Sequence, residues 1–187
     1  MSISKRAKDL QAKPSAIITG HMLCAENTYS FDNPEGFLNF GTAENHLMGD
    51  LLLPKLNQHI NLEPSHLQYN ENYGMENVRK STIAFLENYL GLKGLKAENL
   101  VIQTGVSAIC ESLSFSMFDE GDLIMIPAPY YTGFDHDFTK RFGAKFLKVQ
   151  QSPENNFSVT IDTIIKSYND CQNKEKIKAI LLTHPNN

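Results

Sequence analysis

Beyond residue 99 the chain alternates short apolar runs with longer segments of mixed polarity. The apolar runs have the length of buried strands, and they span residues 100–103, 123–126, 145–149 and 177–183. Between them, apolar side chains recur at helical spacing over residues 107–118, 134–142 and 161–168. This alternation predicts an α/β fold with a mostly parallel sheet and helices on both faces.

Residues 1–64 show weaker periodicity and many turn formers, and their one clear amphipathic patch covers residues 51–56. After them, residues 75–90 repeat apolar side chains at helical spacing, and we expect Gly91 to end that helix. We therefore expect an N-terminal arm and small-domain segment at residues 1–64. Residues 65–187 are expected to be the first part of a larger α/β domain.

The composition is ordinary for a globular protein and narrows the range of partners. Apolar residues make up 41% of the chain and charged residues 20%, with a formal net charge of −4. No basic excess favours nucleic acid or an anionic membrane as a partner. No apolar stretch approaches the roughly 20 residues of a membrane span, and no signal-peptide pattern opens the chain. These patterns predict a cytoplasmic protein.

The cysteines form no recognisable framework. Cys24, Cys110 and Cys171 are odd in number and widely spaced, which indicates neither paired disulfides nor a metal site. We expect reduced thiols with a structural role and no bound metal.

The first predicted strand runs into a turn that contains Gly105 and continues at once as a helix. The free N–H groups of a helix start, together with the positive end of the helix dipole, attract anions, and Ser107 could add a hydroxyl. The turn is therefore a candidate phosphate site. The alternative is an ordinary strand-to-helix turn in which Ser107 only caps the helix.

Two adjacent tyrosines follow the next predicted strand, in the segment Pro127-Ala-Pro-Tyr-Tyr-Thr-Gly. Prolines fix the backbone here, so that Tyr130 or Tyr131 could offer a ring for stacking on a flat ligand. The alternative, which the residues alone leave open, is that both rings pack over the edge of the sheet.

Four segments in order resemble one family. FDEGDLIMIPAPYYTGFDHDF at 118–138, NFGTAENHL at 39–47, YGMENVRKSTIAFL at 73–86 and LLTHPNN at 181–187 carry the resemblance. They are similar to the N-terminal half of the class I/II aminotransferases, which are fold-type-I pyridoxal-phosphate enzymes. The closest branch is that of the 1-aminocyclopropane-1-carboxylate (ACC) synthases. The resemblance implies that residues 65–187 are a truncated part of the cofactor-binding large domain.

The resemblance also implies roles for individual residues. Val106 and Ser107 match the pair that holds the cofactor phosphate, in agreement with the turn described above. Tyr131 matches the aromatic residue that stacks on the pyridine ring, with Tyr130 as the alternative. Asn187 matches the asparagine that hydrogen-bonds the phenolic oxygen of the ring.

At the substrate end, Ala43, Glu44 and Asn45 match the segment that contacts the amino-acid substrate in the synthase branch. The family tyrosine that reaches a partner subunit's phosphate lies two residues before the glycine of the next helix start. Asn72 occupies that position here and Tyr73 follows it, so Tyr73 is the expected substitute and the contact is shifted or changed. A homodimer is implied by the same resemblance.

The family's Schiff-base lysine, the acidic partner of the pyridine nitrogen and the substrate-binding arginine all follow the position of Asn187. We therefore assign no catalytic residue within residues 1–187, and we expect this chain by itself to be inactive. The parent protein is expected to be an aminotransferase or an ACC-synthase-like lyase.

A second hypothesis is a natural truncation that serves as a non-catalytic binding or interaction module. A nucleotide-binding domain of another kind is disfavoured, because the turn after the first predicted strand contains one glycine and no G-x-G-x-x-G pattern.

Overall fold

The computed structural model describes residues 2–12 and 15–186. In this part of the chain the helices are α1 (Lys5–Gln11), α2 (Ala16–Glu26), α3 (Gly49–Gln58), α4 (Glu76–Leu90), α5 (Val106–Met117) and α6 (Ile161–Asp170). The strands are β1 (Leu123–Ala128), β2 (Lys145–Gln150) and β3 (Ile177–Ile180).

The described strands form a parallel sheet in the order β2-β1-β3. Ile124 at the centre of the sheet pairs with Phe146 on β2 and with Ala179 on β3. The connections between these parallel strands contain helical segments, as crossovers of this kind require. This arrangement confirms the α/β class that the alternating pattern predicted.

The core of the sheet is built around β1, whose residues from Ile124 to Ala128 are all buried. Ile124 packs in one cluster with Cys110 of α5, Phe118, Phe138 and Ala144. Because β1 is apolar at consecutive positions, it can be covered on both faces, as expected for a central parallel strand.

Glycines end α4 and precede α5. Gly91 follows α4 with φ of +67°, and Gly105 precedes α5 with φ of +84°. A residue without Cβ adopts this left-handed conformation at little cost, so both helix boundaries follow from the local sequence.

The chain divides into two compact units. One unit contains residues 1–41 and 107–187, including the sheet, and the other contains residues 42–106, including α3 and α4. The boundary between an N-terminal segment and a larger domain, which we expect near residue 64, stays a prediction. No helix within residues 2–12 and 15–186 combines the length and apolar character needed to cross a membrane.

Some predicted elements differ from the structure. Residues 100–103 are not a strand; Ile102 makes one backbone bond, donating its N–H to the Tyr73 carbonyl at 3.0 Å. A strand requires a continuous ladder with a neighbour, and the described residues supply none here. The helix predicted at residues 134–142 is reduced to a short π-helix, Asp135–Thr139. The strand predicted at residues 177–183 ends at Ile180. Helices α1 and α2 were not predicted.

We expect the substitution Ile124→Ala to lower the free energy of unfolding by about 2–5 kcal/mol, because it leaves a cavity at the centre of the sheet. Ile161→Ala is the matched control, since Ile161 is 74% exposed and should change stability by about 0.5 kcal/mol or less. Urea unfolding followed by circular dichroism measures both. Equal effects at the two positions would contradict the assignment of Ile124 to the core.

Candidate functional site

The turn before α5 has the features of an anion site. Helix α5 begins at Val106 directly after Gly105, and the peptide N–H groups of its first turn have no acceptor within the helix. Val106 is 70% exposed, and its backbone N–H is among the free donors of this helix start. The Ser107 side chain is also exposed at the same end of the helix.

Ser107 and Tyr131 line the same cavity, which has a volume of about 170 Å³. The remaining lining comes from Ser15, Ile17, Ile18, Gly133, His136 and Asp137. The structure thus brings together two of the predicted site residues that lie 24 positions apart in the sequence. His136 and Asp137 were not among the predicted site residues, although both lie in the segment 118–138 that carries the family resemblance.

The orientation of the Tyr131 ring is fixed by close packing on Gly133. A β-carbon on Gly133 would overlap the ring at Cε1, Cζ and Oη, so only glycine leaves room for it. The ring of Phe134 meets Tyr131 edge-on, with a centroid distance of 5.3 Å and an interplanar angle of 87°. Tyr131 remains 40% exposed and can offer surface to a ligand.

Tyr130 lies in a different environment. Its hydroxyl donates to Asp135 Oδ1 at 2.9 Å, its ring contacts Phe146 edge-on at 5.3 Å, and Lys148 Nζ lies 5.6 Å from the ring centroid. Burial, together with the hydrogen bond to and the charge of the Asp135 carboxylate, raises the pKa of Tyr130 to about 12. Tyr130 therefore packs against β2. For this tyrosine, the structure favours packing over the sheet edge, which was one of the two alternatives for the pair.

The segment after β3 lies beside the segment after β1. Asn186 Nδ2 donates to the Pro129 carbonyl at 3.3 Å, and Thr183 Oγ1 donates to Asn186 Oδ1 at 3.0 Å. Tyr130, His184 and Asn186 line a second cavity of about 380 Å³ at these strand ends. Asn187, which we expect to contact the cofactor ring, lies outside the described residues.

The remaining predicted site residues belong to the unit of residues 42–106. Ala43, Glu44 and Asn45 lie in an irregular segment before α3, where Glu44 Oε2 is 2.7 Å from His46 Nε2. Both of these side chains are more than half exposed. Tyr73 lies just before α4, with the Arg79 guanidinium 4.6 Å from its ring centroid.

The groups around the first cavity fit a ligand that combines a phosphate with a flat ring. The α5 amino terminus and the Ser107 hydroxyl supply donors and positive potential for the phosphate. The Tyr131 ring, held open by Gly133, supplies an aromatic face.

Known proteins are similar to most of this chain. The family Aminotransferase class I and II matches residues 35–187. ACC synthase 3 of Solanum lycopersicum is 30% identical over an alignment of 193 positions, which covers 92% of this chain and 40% of that protein. ACC synthase 7 of Arabidopsis thaliana is 28% identical, and the match covers 96% of this chain and 43% of that protein. The chain thus spans about two fifths of the length of these curated relatives.

Among solved structures, the fold is similar to that of aspartate aminotransferase from Thermus thermophilus with maleate. The TM-score is 0.72 at 18% identity, and the match covers 100% of this chain and 46% of that chain. An alanine aminotransferase from Pyrococcus furiosus gives a TM-score of 0.66 at 19% identity, and the match covers 100% of this chain and 44% of that chain. At these identities the likeness establishes the fold.

We expect Gly133→Ala to displace the Tyr131 ring, because the new methyl group would occupy the position of Cε1 and Cζ. In NMR spectra the contacts between the Tyr131 and Phe134 rings should disappear, with little change in the remaining core signals. Gly20→Ala is the control, since a β-carbon at Gly20 meets no atom within 4 Å. Ring contacts that persist in Gly133→Ala would show that Gly133 does not set the position of Tyr131.

Proposed function

Because this chain belongs to the class I and II aminotransferase family, we propose that it forms the N-terminal part of a pyridoxal-phosphate enzyme acting on an amino-acid substrate. Pyridoxal phosphate is the cofactor of this family and of the ACC synthases. The observation that carries the proposal for this chain is the shared cavity of Ser107 and Tyr131. The parent activity is that of an aminotransferase or of an ACC-synthase-like lyase.

The α5 amino terminus holds the cofactor phosphate in this proposal. The N–H groups at Val106 and Ser107 donate to phosphate oxygens, and the Ser107 hydroxyl adds a further bond. The helix dipole stabilises the negative charge of the phosphate at the same place. These contacts position the cofactor without taking part in proton transfer.

Tyr131 orients the cofactor ring by stacking on it. The packing of Tyr131 on Gly133 and Phe134 leaves one face of the tyrosine ring for this contact. Asn187 is proposed to donate an amide N–H to the phenolic oxygen of the cofactor. Bound pyridoxal phosphate supplies the electron sink that stabilises negative charge at the substrate Cα. The residues of this chain bind and orient; the family's reactive lysine matches no residue within 1–187.

Ala43, Glu44 and Asn45 are proposed to contact the substrate, and Glu44 favours a synthase-like substrate preference. Tyr73 is the proposed substitute for the family tyrosine that contacts the phosphate across a homodimer interface. Its ring faces the Arg79 guanidinium, which is consistent with a contact altered from the family pattern. We also propose a cytoplasmic location for the parent enzyme.

Removing the Ser107 hydroxyl should weaken the binding of pyridoxal phosphate about tenfold, because a charge-assisted hydrogen bond is lost. Binding of pyridoxal, which lacks the phosphate, should not change. Equilibrium dialysis of both compounds against Ser107→Ala measures the difference. Ser116→Ala is the matched control, because Ser116 lies at the other end of α5 and bonds the Ser112 carbonyl. Unchanged phosphate-dependent affinity in Ser107→Ala would contradict the proposed phosphate site.

Reduction with borohydride tests the catalytic part of the proposal. In a protein that joins residues 1–187 to the segment homologous to the rest of the relatives, the cofactor should become fixed to a lysine. Peptide mapping should locate that lysine outside residues 1–187. If no adduct forms although the cofactor binds, the protein is better described as a non-catalytic binding module.

A further inference from the structure

Arg79 of α4 carries a permanently charged guanidinium in a buried position, with only 5% of the residue exposed. Its Nε donates to the Gly74 carbonyl at 2.8 Å, and its Nη1 donates to the Ala97 carbonyl. The Tyr73 ring covers one face of the group, 4.6 Å from the guanidinium carbon. A buried charge is costly unless a counter-charge pairs with it.

No carboxylate in the described part of the chain forms an ion pair with Arg79. The ion pairs found there are His46–Glu44, Lys80–Glu76, Lys96–Glu98 and Arg141–Glu111. Glu76, one turn from Arg79, is held by Lys80 at 2.8 Å, and Lys80 lowers its pKa more than Arg79 does. The two carbonyl bonds are to neutral groups and leave part of the guanidinium's donor capacity unused.

The guanidinium borders a cavity of about 310 Å³ within the unit of residues 42–106. Tyr73, Glu98, Leu100 and Val101 complete its lining. Glu98 is the one acidic group of this lining, and its side chain is 74% exposed and 3.8 Å from Lys96 Nζ. Solvent and Lys96 therefore screen Glu98, whereas Arg79 is shielded from water.

We propose that this cavity binds a small oxyanion, a carboxylate or a phosphate, on the guanidinium of Arg79. Planar guanidinium groups bind both kinds of anion through paired N–H donors, and the Tyr73 ring limits the approach to one side. The bound anion supplies a directly paired counter-charge, which none of the described carboxylates provides. The test of this site omits the cofactor, so its outcome is distinguishable from that of the Ser107 phosphate site.

The test is an NMR titration of the chain, without pyridoxal phosphate, with sodium acetate in one series and inorganic phosphate in another. Sodium chloride at equal ionic strength is the reference. Saturable shifts of the Arg79 Nε–H and Tyr73 ring signals are expected with at least one anion, and the series that saturates first identifies the preferred class. In Arg79→Lys the affinity should fall about tenfold or more, because the two-donor geometry is lost.

Arg141→Lys is the matched control, since Arg141 also lies near an aromatic ring, Phe142, but is exposed and paired with Glu111. It should leave the titration unchanged. Shifts no larger than those with chloride, or equal affinity in Arg79→Lys, would overturn the proposal.

A second variant keeps the test decisive if Arg79→Lys does not fold. Val101 lines the cavity and is 53% exposed, so Val101→Glu adds a carboxylate of the chain itself. We expect Val101→Glu to abolish the saturable anion shifts, whereas the uncharged Val101→Gln retains them. Retention of the anion shifts in Val101→Glu would also overturn the proposal.

Discussion

The burial of β1 is the constraint on which the rest of the sheet-containing unit depends. β1 is paired along its length with β2 and over its first half with β3. Backbone bonds from Gln151 N to Ala128 O and from Leu181 N to Met125 O extend this pairing towards the strand ends. A slip of one residue would break these backbone pairs and exchange the side chains that pack on the two buried faces of β1. The point at which the chain leaves β1 is fixed with this register.

That exit determines why two adjacent tyrosines have different environments. Tyr130 turns back onto β2, where Phe146 contacts its ring. Its hydroxyl donates a hydrogen bond to Asp135. Tyr131 instead folds over Gly133 into the cavity that also contains Ser107. The same residue type thus contributes to packing at one position and offers a ligand surface at the next. The difference comes from the backbone path, which places Gly133 against the Tyr131 ring and Asp135 at the Tyr130 hydroxyl.

In the unit of residues 42–106, Arg79 has a comparable organising position. Its bonds to the Gly74 and Ala97 carbonyls join α4 to the turn that precedes it and to the segment before residue 100. Gly74 has φ of +102°, and a β-carbon there would meet Ile102 Cβ at 3.0 Å. This close approach explains how residues 100–103 are held without a strand ladder. The position of Arg79 also places a cationic group at the wall of a cavity, which an apolar residue at position 79 would not do.

Local sequence patterns were enough to predict the α/β class, the approximate ends of α4 and α5, and the central residues of β1 and β2. Apolar runs, helical periodicity and glycines act locally, and no distant contact was needed to predict them. Ser107 and Tyr131 were likewise predicted from their places after predicted strands and from the family resemblance. Long-range packing, in contrast, brings these two residues into one cavity, packs Tyr130 against β2 and leaves residues 100–103 without a strand ladder. These features depend on neighbours far apart in sequence, and a ladder or a shared cavity exists only when those neighbours meet.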